Sequence, residues 1–547
     1  MSHWEKIFVA SSLFFIYLLG FCPISAEASG RVHYDNPLEA GADPYVLKHR
    51  GEYYRYFSMG DKVWVNKSHT LTDASLWNNA GATCVHTAVF DNRDNEESWN
   101  NAHLWAPEVH YINGRFYLYY CADNKYKPKH HLFVATADNP YGPFVDTGEA
   151  LVTSPHGLLD GNNPAGSGLQ DDAWAIDANV FVDNDQDSTI YITWSGPPHT
   201  CQCIRIAKME TPTKIDVNTI KTISLPERDW EKGDSSAEGL SSQPVNEGPF
   251  MFKKKNKYFI VYSASHSQTA HYCLGLLSTT NPLGEWVKEG PVFEKNTGEE
   301  MYGVGHNCLV KGMNGIDDVN CYHYKTGTAV TWDDRMLAMS AIEWDKGEPN
   351  FGEPYKQNQS LGKATRTDNF EEGRAYPADW EQVAPRLFKI ENGQLIGDSR
   401  TVEGWQIGGM HDLQARDLLF EGNLKIIENG TASTYPKAGI YISDKEAKNF
   451  VALWMDSKHH CFALLVRERG VDRSWLNIWY PPADFDFNVY HAITITKNGQ
   501  EVELKVDGNV RHSFSANFDE VQMYRSGVVL EACEAAVDGV LFTRLSR

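Results

Sequence analysis

The chain has 547 residues, which suggests more than one domain at about 150 residues each. Its 50 Lys and Arg residues against 72 Asp and Glu residues give a net charge of −22, which argues against nucleic-acid binding because phosphate recognition depends on clustered basic side chains. The hydrophobic and charged fractions, 42% and 22%, exclude a disordered, collagen-like or coiled-coil chain.

The N-terminus has the pattern of a secretion signal. Lys6 precedes the apolar run 7–21, and Ala26 and Ala28 form a small-x-small cleavage site. We therefore assign residues 1–28 to a signal peptide and predict a secreted, extracellular protein. No later segment reaches the roughly 18 consecutive apolar residues of a membrane span, so we expect no stable membrane insertion.

An aromatic and β-branched strand pattern recurs five times along the chain. Each copy ends on an aromatic residue followed by a small or polar one, at spacings of 60 to 74 residues. The copies are 53–58, 116–121, 190–195, 258–263 and a degenerate 318–323. An apolar strand and a polar turn precede each copy, so every unit opens with a hairpin. Repeated all-β units of this length predict a five-bladed β-propeller.

The inner strand of every propeller blade runs beside the central axis, so the starts of these strands converge at one mouth of the channel. Three of the five starts carry a carboxylate, Asp43, Asp177 and Glu247, and one carries His306. Crowding three carboxylates into a partly dry pocket raises the pKa of at least one of them. A protonated acid beside an ionised base is what hydrolysis of a glycosidic bond requires.

Five segments resemble glycoside hydrolase family 43, the five-bladed propeller arabinofuranosidases, arabinanases and xylosidases. They are 42–46, 105–110, 176–181, 247–249 and 302–307, within about the first 370 residues. The resemblance implies that Asp43 is the general base that activates water, Glu247 the general acid, and Asp177 the residue that modulates the acid's pKa. It also implies inversion in a single displacement, with acid and base about 6.5–9.5 Å apart.

Three further roles follow from the resemblance and have alternatives. His306 would face an ion near the propeller axis, with Ca²⁺ the candidate, although calcium prefers oxygen ligands. Trp105 would stack on a sugar ring, or pack in the core. Arg335 would reach the pocket, or form a surface ion pair. We expect no organic cofactor.

The pattern changes beyond residue 373, and we place the propeller in residues 29–375 and a linker with a second domain in 376–547. Short strands are predicted at 438–442, 450–455, 461–466, 475–479 and in the hairpin 491–506. They predict an antiparallel β-sandwich, which resembles the concanavalin-like domains of propeller hydrolases. Its tryptophans, Trp405, Trp454, Trp475 and Trp479, form either a sugar platform or core.

The predicted function is release of terminal α-L-arabinofuranosyl, or β-D-xylosyl, residues from plant-type polysaccharides or oligosaccharides. Endo-arabinanase activity, a family 32-like fructan hydrolase and a non-catalytic glycan-binding propeller are the alternatives. The long insertions 84–99 and 158–172 favour a closed pocket and exo action. Nine cysteines remain after signal removal; Cys201 and Cys203 lack zinc-finger spacing and are expected to form a disulfide or to lie buried.

Overall fold

The computed structural model describes residues 30–151, 175–183, 188–196, 201–233, 244–371, 380–383 and 387–545. The predicted signal peptide 1–28 and the insertion 158–172 lie outside these residues. Within the described ranges, no helix has the length and apolar character needed to cross a membrane.

The first part of the chain consists almost entirely of short antiparallel strands. In chain order the strands are β1 (Arg31–Tyr34), β2 (Glu39–Ala40), β3 (Tyr45–His49), β4 (Glu52–Ser58), β5 (Val63–Ser68), β6 (Thr83–His86), β7 (Ala102–Ile112), β8 (Arg115–Asn124), β9 (Lys127–Ala137), β10 (Val145–Ala150), β11 (Ile176–Asp183), β12 (Thr189–Gly196), β13 (Cys203–Thr211), β14 (Lys214–Ile215), β15 (Lys221–Ser224), β16 (Asn246–Lys254), β17 (Lys257–Ala264), β18 (Cys273–Thr279), β19 (Val287–Phe293), β20 (Tyr302–Lys311), β21 (Asp318–Lys325), β22 (Arg335–Asp345), β23 (Glu348–Asn350), β24 (Gln359–Gly362) and β25 (Arg366–Asp368). The helices are α1 (Ala74–Trp77), α2 (Ala88–Asn92) and α3 (Asp229–Lys232), with 3₁₀ turns at Asn79–Gly81 and Val217–Thr219.

These strands form the five blades of a propeller, which confirms the predicted fold. The blades are β3–β6, β7–β10, β11–β15, β16–β19 and β20–β23. The second strand of each blade, β4, β8, β12, β17 and β21, contains one copy of the sequence repeat. The N-terminal strand β2 pairs with β22 of the last blade, so the two ends of the propeller sequence meet in one sheet and close the ring.

The C-terminal part forms two packed antiparallel sheets, which confirms the predicted additional β structure. Its strands are β26 (Trp380–Val383), β27 (Phe388–Glu391), β28 (Gln394–Asp398), β29 (Gln406–Met410), β30 (Leu418–Asn429), β31 (Lys437–Ser443), β32 (Phe450–Asp456), β33 (Cys461–Glu468), β34 (Val471–Trp479), β35 (His491–Asn498), β36 (Glu501–Val506), β37 (Asn509–Ser515), β38 (Arg525–Glu531) and β39 (Cys533–Arg544). One sheet has the order β26-β29-β38-β31-β32-β33-β34, and the other β27-β28-β39-β30-β35-β36-β37. The strand β25, which precedes the expected boundary at residue 375, already pairs with β39 of this sandwich.

The four sandwich tryptophans divide between core and surface. Trp454 is fully buried, and Trp479 packs on Phe462 of the inter-sheet core. Trp405 is half-buried against Trp454, whereas Trp475 is 47% exposed. Core packing therefore explains Trp454, while Trp405 and Trp479 are half-buried against core residues and Trp475 is exposed.

The sandwich packs against the turns at the far ends of the inner propeller strands. Arg50, in the turn after β3, donates from Nε to Asp538 Oδ2 at 2.7 Å. In the next blade Gly114 approaches Val489 so closely that a Cβ on this glycine would lie 2.3 Å from the valine Cγ1. Because Asp43 precedes β3 and these turns follow the inner strands, the contacts lie on the propeller face opposite Asp43.

Candidate active site

The inner strands share a backbone irregularity at the channel mouth. In blades two to five, the inner strand has one more residue than its partner between two consecutive paired positions, for example between Glu247 and Phe250 opposite Ser263 and Val261. Such a bulge bends the strand and re-aims a side chain. Every blade has a residue with a left-handed backbone near this point: Asp43, Ala106, Asp177, Gly248 and His306, with φ of 48°, 39°, 58°, 54° and 29°. Asp43 precedes β3, whose pairing with β4 has no bulge.

The strand register corrects one detail of the sequence alignment. The sequence places Glu247 at the position of Asp43 and Asp177, but the left-handed position of blade four is Gly248. Glu247 stands one residue earlier, opposite Ser263, as Trp105 stands opposite Cys121 in blade two. Blade three has the same bulge with Asp177 at its left-handed position, so Glu247 and Asp177 differ only in their place relative to the bulge. Glu247 therefore enters the site from a different backbone position than the two aspartates.

Asp43 is surrounded by basic groups. Its Oδ1 lies 3.4 Å from His306 Nδ1 and 3.8 Å from Arg335 Nη1, and its side chain is 28% exposed. Burial by itself raises the pKa of Asp43, but the charge of His306, the contact with His323 and the charge of Arg335 together outweigh this effect and hold the pKa well below its usual range. Asp43 is thus an ionised carboxylate that can accept a proton from water.

Asp177 has the opposite electrostatic character. Its side chain is buried, and Oδ2 accepts a hydrogen bond from the Gly248 backbone N–H at 3.0 Å. Burial, aided by the negative charges of Glu247 and Asp43, raises the pKa of Asp177 to about 7, against the lowering effect of His306. The carboxyl therefore titrates near neutrality and is sensitive to the charge of its neighbours.

Both carboxylate oxygens of Glu247 are held by side chains from outside its own strand. Tyr272 Oη donates to Oε1 at 2.8 Å, and Gln202 Nε2 donates to Oε2 at 2.8 Å. The Tyr272 phenol oxygen can donate or accept a hydrogen bond, whereas the Gln202 amide nitrogen that faces Oε2 can only donate. The two contacts fix the direction of the carboxyl without preventing it from holding a proton.

His306 lies between the carboxylates. Burial lowers its pKa, but the charges of Asp177, Asp43 and Glu247 outweigh burial and raise the pKa above the ordinary value. Gly248 packs directly on the imidazole, since a Cβ at this glycine would lie 3.0 Å from the ring carbons Cγ and Cδ2. The absence of a side chain at Gly248 thus makes room for the ring.

The surroundings of His306 do not fit a calcium ion held by protein ligands. Among the residues that the structure describes, no three His, Cys, Asp or Glu side chains converge in an arrangement that could hold a metal ion. Calcium takes about six to eight oxygen ligands, whereas His306 offers an imidazole nitrogen. The predicted ion at His306 remains a prediction, and no chemical step proposed below depends on it.

Two further residues connect the carboxylates and were missed in the sequence. The Asp43 backbone N–H donates to His323 Nδ1 at 3.2 Å, and the His323 ring stacks on Tyr272 with centroids 5.7 Å apart. Burial lowers the pKa of His323 to about 4, so the ring is neutral at pH 7. The repeat did contain a signal for His323: four copies end in Ser or Cys, whereas the fifth ends in this histidine. No pattern singled out Tyr272 or Gln202.

The two remaining predicted residues lie in different surroundings. Arg335 begins β22 and contacts Asp43, while its Nε donates to the Trp332 carbonyl at 3.1 Å. Trp105 is 42% exposed and stacks on His130, with centroids 3.9 Å apart. The structure thus brings Asp43, Asp177, Glu247, His306 and Arg335 together, and it leaves Trp105 as an exposed aromatic face in the second blade.

Comparison with known proteins identifies the family. The model of the glycosyl hydrolases family 43 matches residues 34–349, and the chain belongs to this family. It is 30% identical over 351 residues to the "Extracellular exo-alpha-(1->5)-L-arabinofuranosidase" of Streptomyces avermitilis, covering 60% of this chain and 65% of that protein. It is 26% identical over 358 residues to "Alpha-L-arabinofuranosidase 43" of Humicola insolens, covering 61% and 66%. The matched region thus spans slightly less than two thirds of either relative.

A solved structure of similar shape is the crystal structure of an alpha-L-arabinofuranosidase from Lactobacillus brevis. It has 25% sequence identity and a TM-score of 0.49, and the match covers 61% of this chain and 99% of that one. The resemblance to family 43 inferred from the five sequence segments is confirmed by the family match.

Proposed function

We propose that the protein is an extracellular glycoside hydrolase that releases terminal α-L-arabinofuranosyl residues from plant polysaccharides or oligosaccharides with inversion of configuration. The observation that carries the proposal is the contrast between the carboxyl groups. Basic residues keep Asp43 ionised, whereas burial raises the pKa of Asp177 to about 7 beside Glu247. Carboxyl groups driven apart in pKa are the requirement for acid and base catalysis of glycoside hydrolysis.

Each carboxyl has one role in the proposed mechanism. Asp43 removes a proton from the water that attacks the anomeric carbon, and Arg335 and His306 hold Asp43 in its ionised form. Glu247 gives its proton to the departing glycosidic oxygen, while Tyr272 and Gln202 hold its carboxyl in place. Asp177 acts on Glu247 through its charge, and the Gly248 N–H fixes the position of Asp177.

The names of the relatives support the sugar and the location. The names of both relatives specify an arabinofuranosidase, and one also specifies an extracellular enzyme. The net charge of −22 suits a neutral polysaccharide, because a polyanion would be repelled. Exposed Trp105 offers its ring face to a sugar, as aromatic residues at glycan sites do. Aryl β-D-xylosides are the competing substrates to test.

The deciding experiment compares Glu247→Gln with Asp43→Asn on two aryl α-L-arabinofuranosides with good and poor leaving groups. Glu247→Gln should reduce turnover of the poor leaving group by at least about a hundredfold and spare the activated substrate, which needs less protonation. Asp43→Asn should abolish turnover of both substrates. NMR of the first-formed sugar should show the inverted anomer.

Glu421→Gln is the matched control, because Glu421 is a half-buried carboxylate of the sandwich that pairs with Lys48. It should keep full turnover. Equal losses for Glu247→Gln and Asp43→Asn on both substrates would refute the acid and base assignment. Tight binding of arabino-oligosaccharides without any turnover would instead establish the non-catalytic alternative.

A further inference from the structure

Gln202, which holds the proposed acid, stands between two cysteines. The Sγ atoms of Cys201 and Cys203 lie 3.1 Å apart, whereas a disulfide needs about 2.0 Å. Cys203 is buried at the start of β13, where it pairs with Gly196, and Cys201 is half-buried in the preceding bend. The two sulfurs therefore have to approach by about 1 Å to form a bond.

The backbone of Gln202 is tied to the strand that carries Glu247. Its N–H donates to the Pro244 carbonyl at 3.1 Å, and its carbonyl accepts from the Asn246 N–H at 3.0 Å. Gln202 thus forms a parallel bridge with Val245, two residues before Glu247. Any change in the backbone between the two cysteines is transmitted to the start of β16 as well as to the amide that holds Glu247.

From this geometry we infer that Cys201 and Cys203 form a disulfide that fixes Gln202 against Glu247, and that the reduced enzyme is the less effective acid catalyst. The inference rests on the proposed role of Glu247. A ring closed between residues two apart restricts the torsions of the residue between them, so the disulfide orders Gln202 before substrate binds. Pre-ordered groups lower the barrier because they need no further alignment in the transition state.

The oxidant is a small-molecule disulfide, such as oxidised glutathione. The Cys201 thiolate attacks one sulfur of the oxidant and releases one thiolate, leaving a mixed disulfide on Cys201. The hydrogen bond with Cys201 and burial raise the pKa of Cys203, and the first cause ends once Cys201 is in the mixed disulfide. Cys203 then loses its proton, attacks Cys201 Sγ and releases the second thiolate. The protein loses two electrons and two protons, and the oxidant becomes two thiols. The hydrogen bond with Cys203 lowers the pKa of Cys201, which favours Cys201 as the first nucleophile.

The test combines a chemical and a kinetic measurement on the full-length enzyme. After treatment of the enzyme with oxidised glutathione, mass spectrometry of the peptide containing residues 201–203 should show the loss of two hydrogens. Dithiothreitol should reverse this loss. Reduction should lower kcat roughly tenfold for the arabinofuranoside with the poor leaving group, and leave the activated substrate unchanged. The double variant Cys201→Ser, Cys203→Ser should show the reduced-form kinetics under both conditions, and Gln202→Ala should show the same leaving-group dependence.

Cys84→Ser provides the control, because Cys84 is a half-buried thiol in the first blade and its loss should preserve the redox response. The inference is overturned if oxidation leaves both thiols alkylatable, if it links only Cys308 and Cys321, which face each other across β20 and β21, or if the disulfide forms without a kinetic effect. Failure of Glu247→Gln to show leaving-group dependence would refute the acid assignment alone, since the mass measurement does not depend on it.

Discussion

At the scale of single residues, the carboxyl groups of the site differ in pKa because their neighbours differ. Asp43 has His306 and Arg335 beside it, whereas Asp177 has burial and two negative charges. The same side-chain type therefore has a low pKa in one blade and a pKa near 7 two blades away. The different roles proposed for Asp43 and Asp177 therefore come from their surroundings. The repeat itself only places the two residues around the same axis.

The raised pKa of Asp177 predicts a cost in stability that depends on pH. The folded-state pKa of about 7 lies above the unfolded value near 3.8, so the folded protein binds the proton more tightly. Stability is therefore lost as pH rises from about 4 through 7. Asp177→Asn removes this loss and retains an acceptor for the Gly248 N–H. Its Tm should exceed that of the wild type by at least about 2 °C at pH 8, and by much less at pH 4.

Calorimetric Tm measurements across pH 4–8 check this prediction, with catalytic activity as a second readout. At pH 8 the variant should be more stable than the wild type and should also be inactive. An Asp177→Asn protein with a lower Tm at pH 8 than the wild type would contradict the raised pKa.

Sequence reasoning located the residues that occupy repeated positions and missed those that do not. Asp43, Asp177 and His306 stand at the same point of three blades, and motif segments contain Glu247. Tyr272 reaches Glu247 from the segment before β18 of the same blade, and Gln202 reaches it from the segment before β13 of the neighbouring blade. Side chains that meet only through tertiary packing leave no periodic signal in a single sequence.

At the scale of the element, the bulge is the device that aims the catalytic side chains. The inner strands of blades two to five contain such an insertion at the channel mouth, and the left-handed residues Ala106, Asp177, Gly248 and His306 lie in it. Strand alternation and turn residues predicted the blades, but they did not predict the bulges. The alignment of Glu247 with Asp43 was wrong by one residue, because the left-handed position of blade four is Gly248 and not the carboxylate before it.

Gly248→Ala tests whether the bulge positions His306. The new Cβ would lie 3.0 Å from the His306 ring, so we expect the ring to shift and turnover to fall roughly tenfold. Its left-handed φ of 54° adds backbone strain of about 1 kcal/mol in the free energy of unfolding.

Gly347→Ala is the control for strain alone. Its φ is 92°, and no atom lies within 4 Å of the position of its Cβ. Both variants should lose stability in urea unfolding, but only Gly248→Ala should lose kcat. Equal kcat for the two variants would show that the contact between Gly248 and His306 is unimportant for the reaction.

At the scale of the whole molecule, the sandwich covers the propeller face that lies away from the catalytic carboxyls. The ion pair between Arg50 and Asp538 joins the two parts, and the Asp538 side chain is only 9% exposed. Burial raises the pKa of Asp538 to about 6, although Arg50 opposes this effect. The sandwich is therefore expected to act on stability rather than on catalysis.

Arg50→Met should destabilise the protein in a pH-dependent way. Without the guanidinium, the ionised Asp538 is buried and unpaired, which costs roughly 3 kcal/mol or more of unfolding free energy. The loss should be larger at pH 8 than at pH 5, because Asp538 is protonated below its folded pKa of about 6 and then needs no cation.

Urea unfolding at the two pH values measures the effect, and kcat of the folded variant should equal the wild-type value. Adding Asp538→Asn to Arg50→Met should abolish the pH dependence. A loss of kcat in Arg50→Met, with stability unchanged, would mean that the interface communicates with the catalytic face.

The closure of the ring by β2 and β22 affects how the chain folds during synthesis. These strands are separated by about 300 residues of chain, so the pairing has a very high contact order and forms late. A nascent chain that has not yet produced β22 leaves the outer edge of the last blade open and a short N-terminal strand without its neighbour. Open edges invite pairing with other chains. Nonsense or frameshift truncation upstream of Arg335 should therefore yield aggregating fragments instead of a smaller propeller.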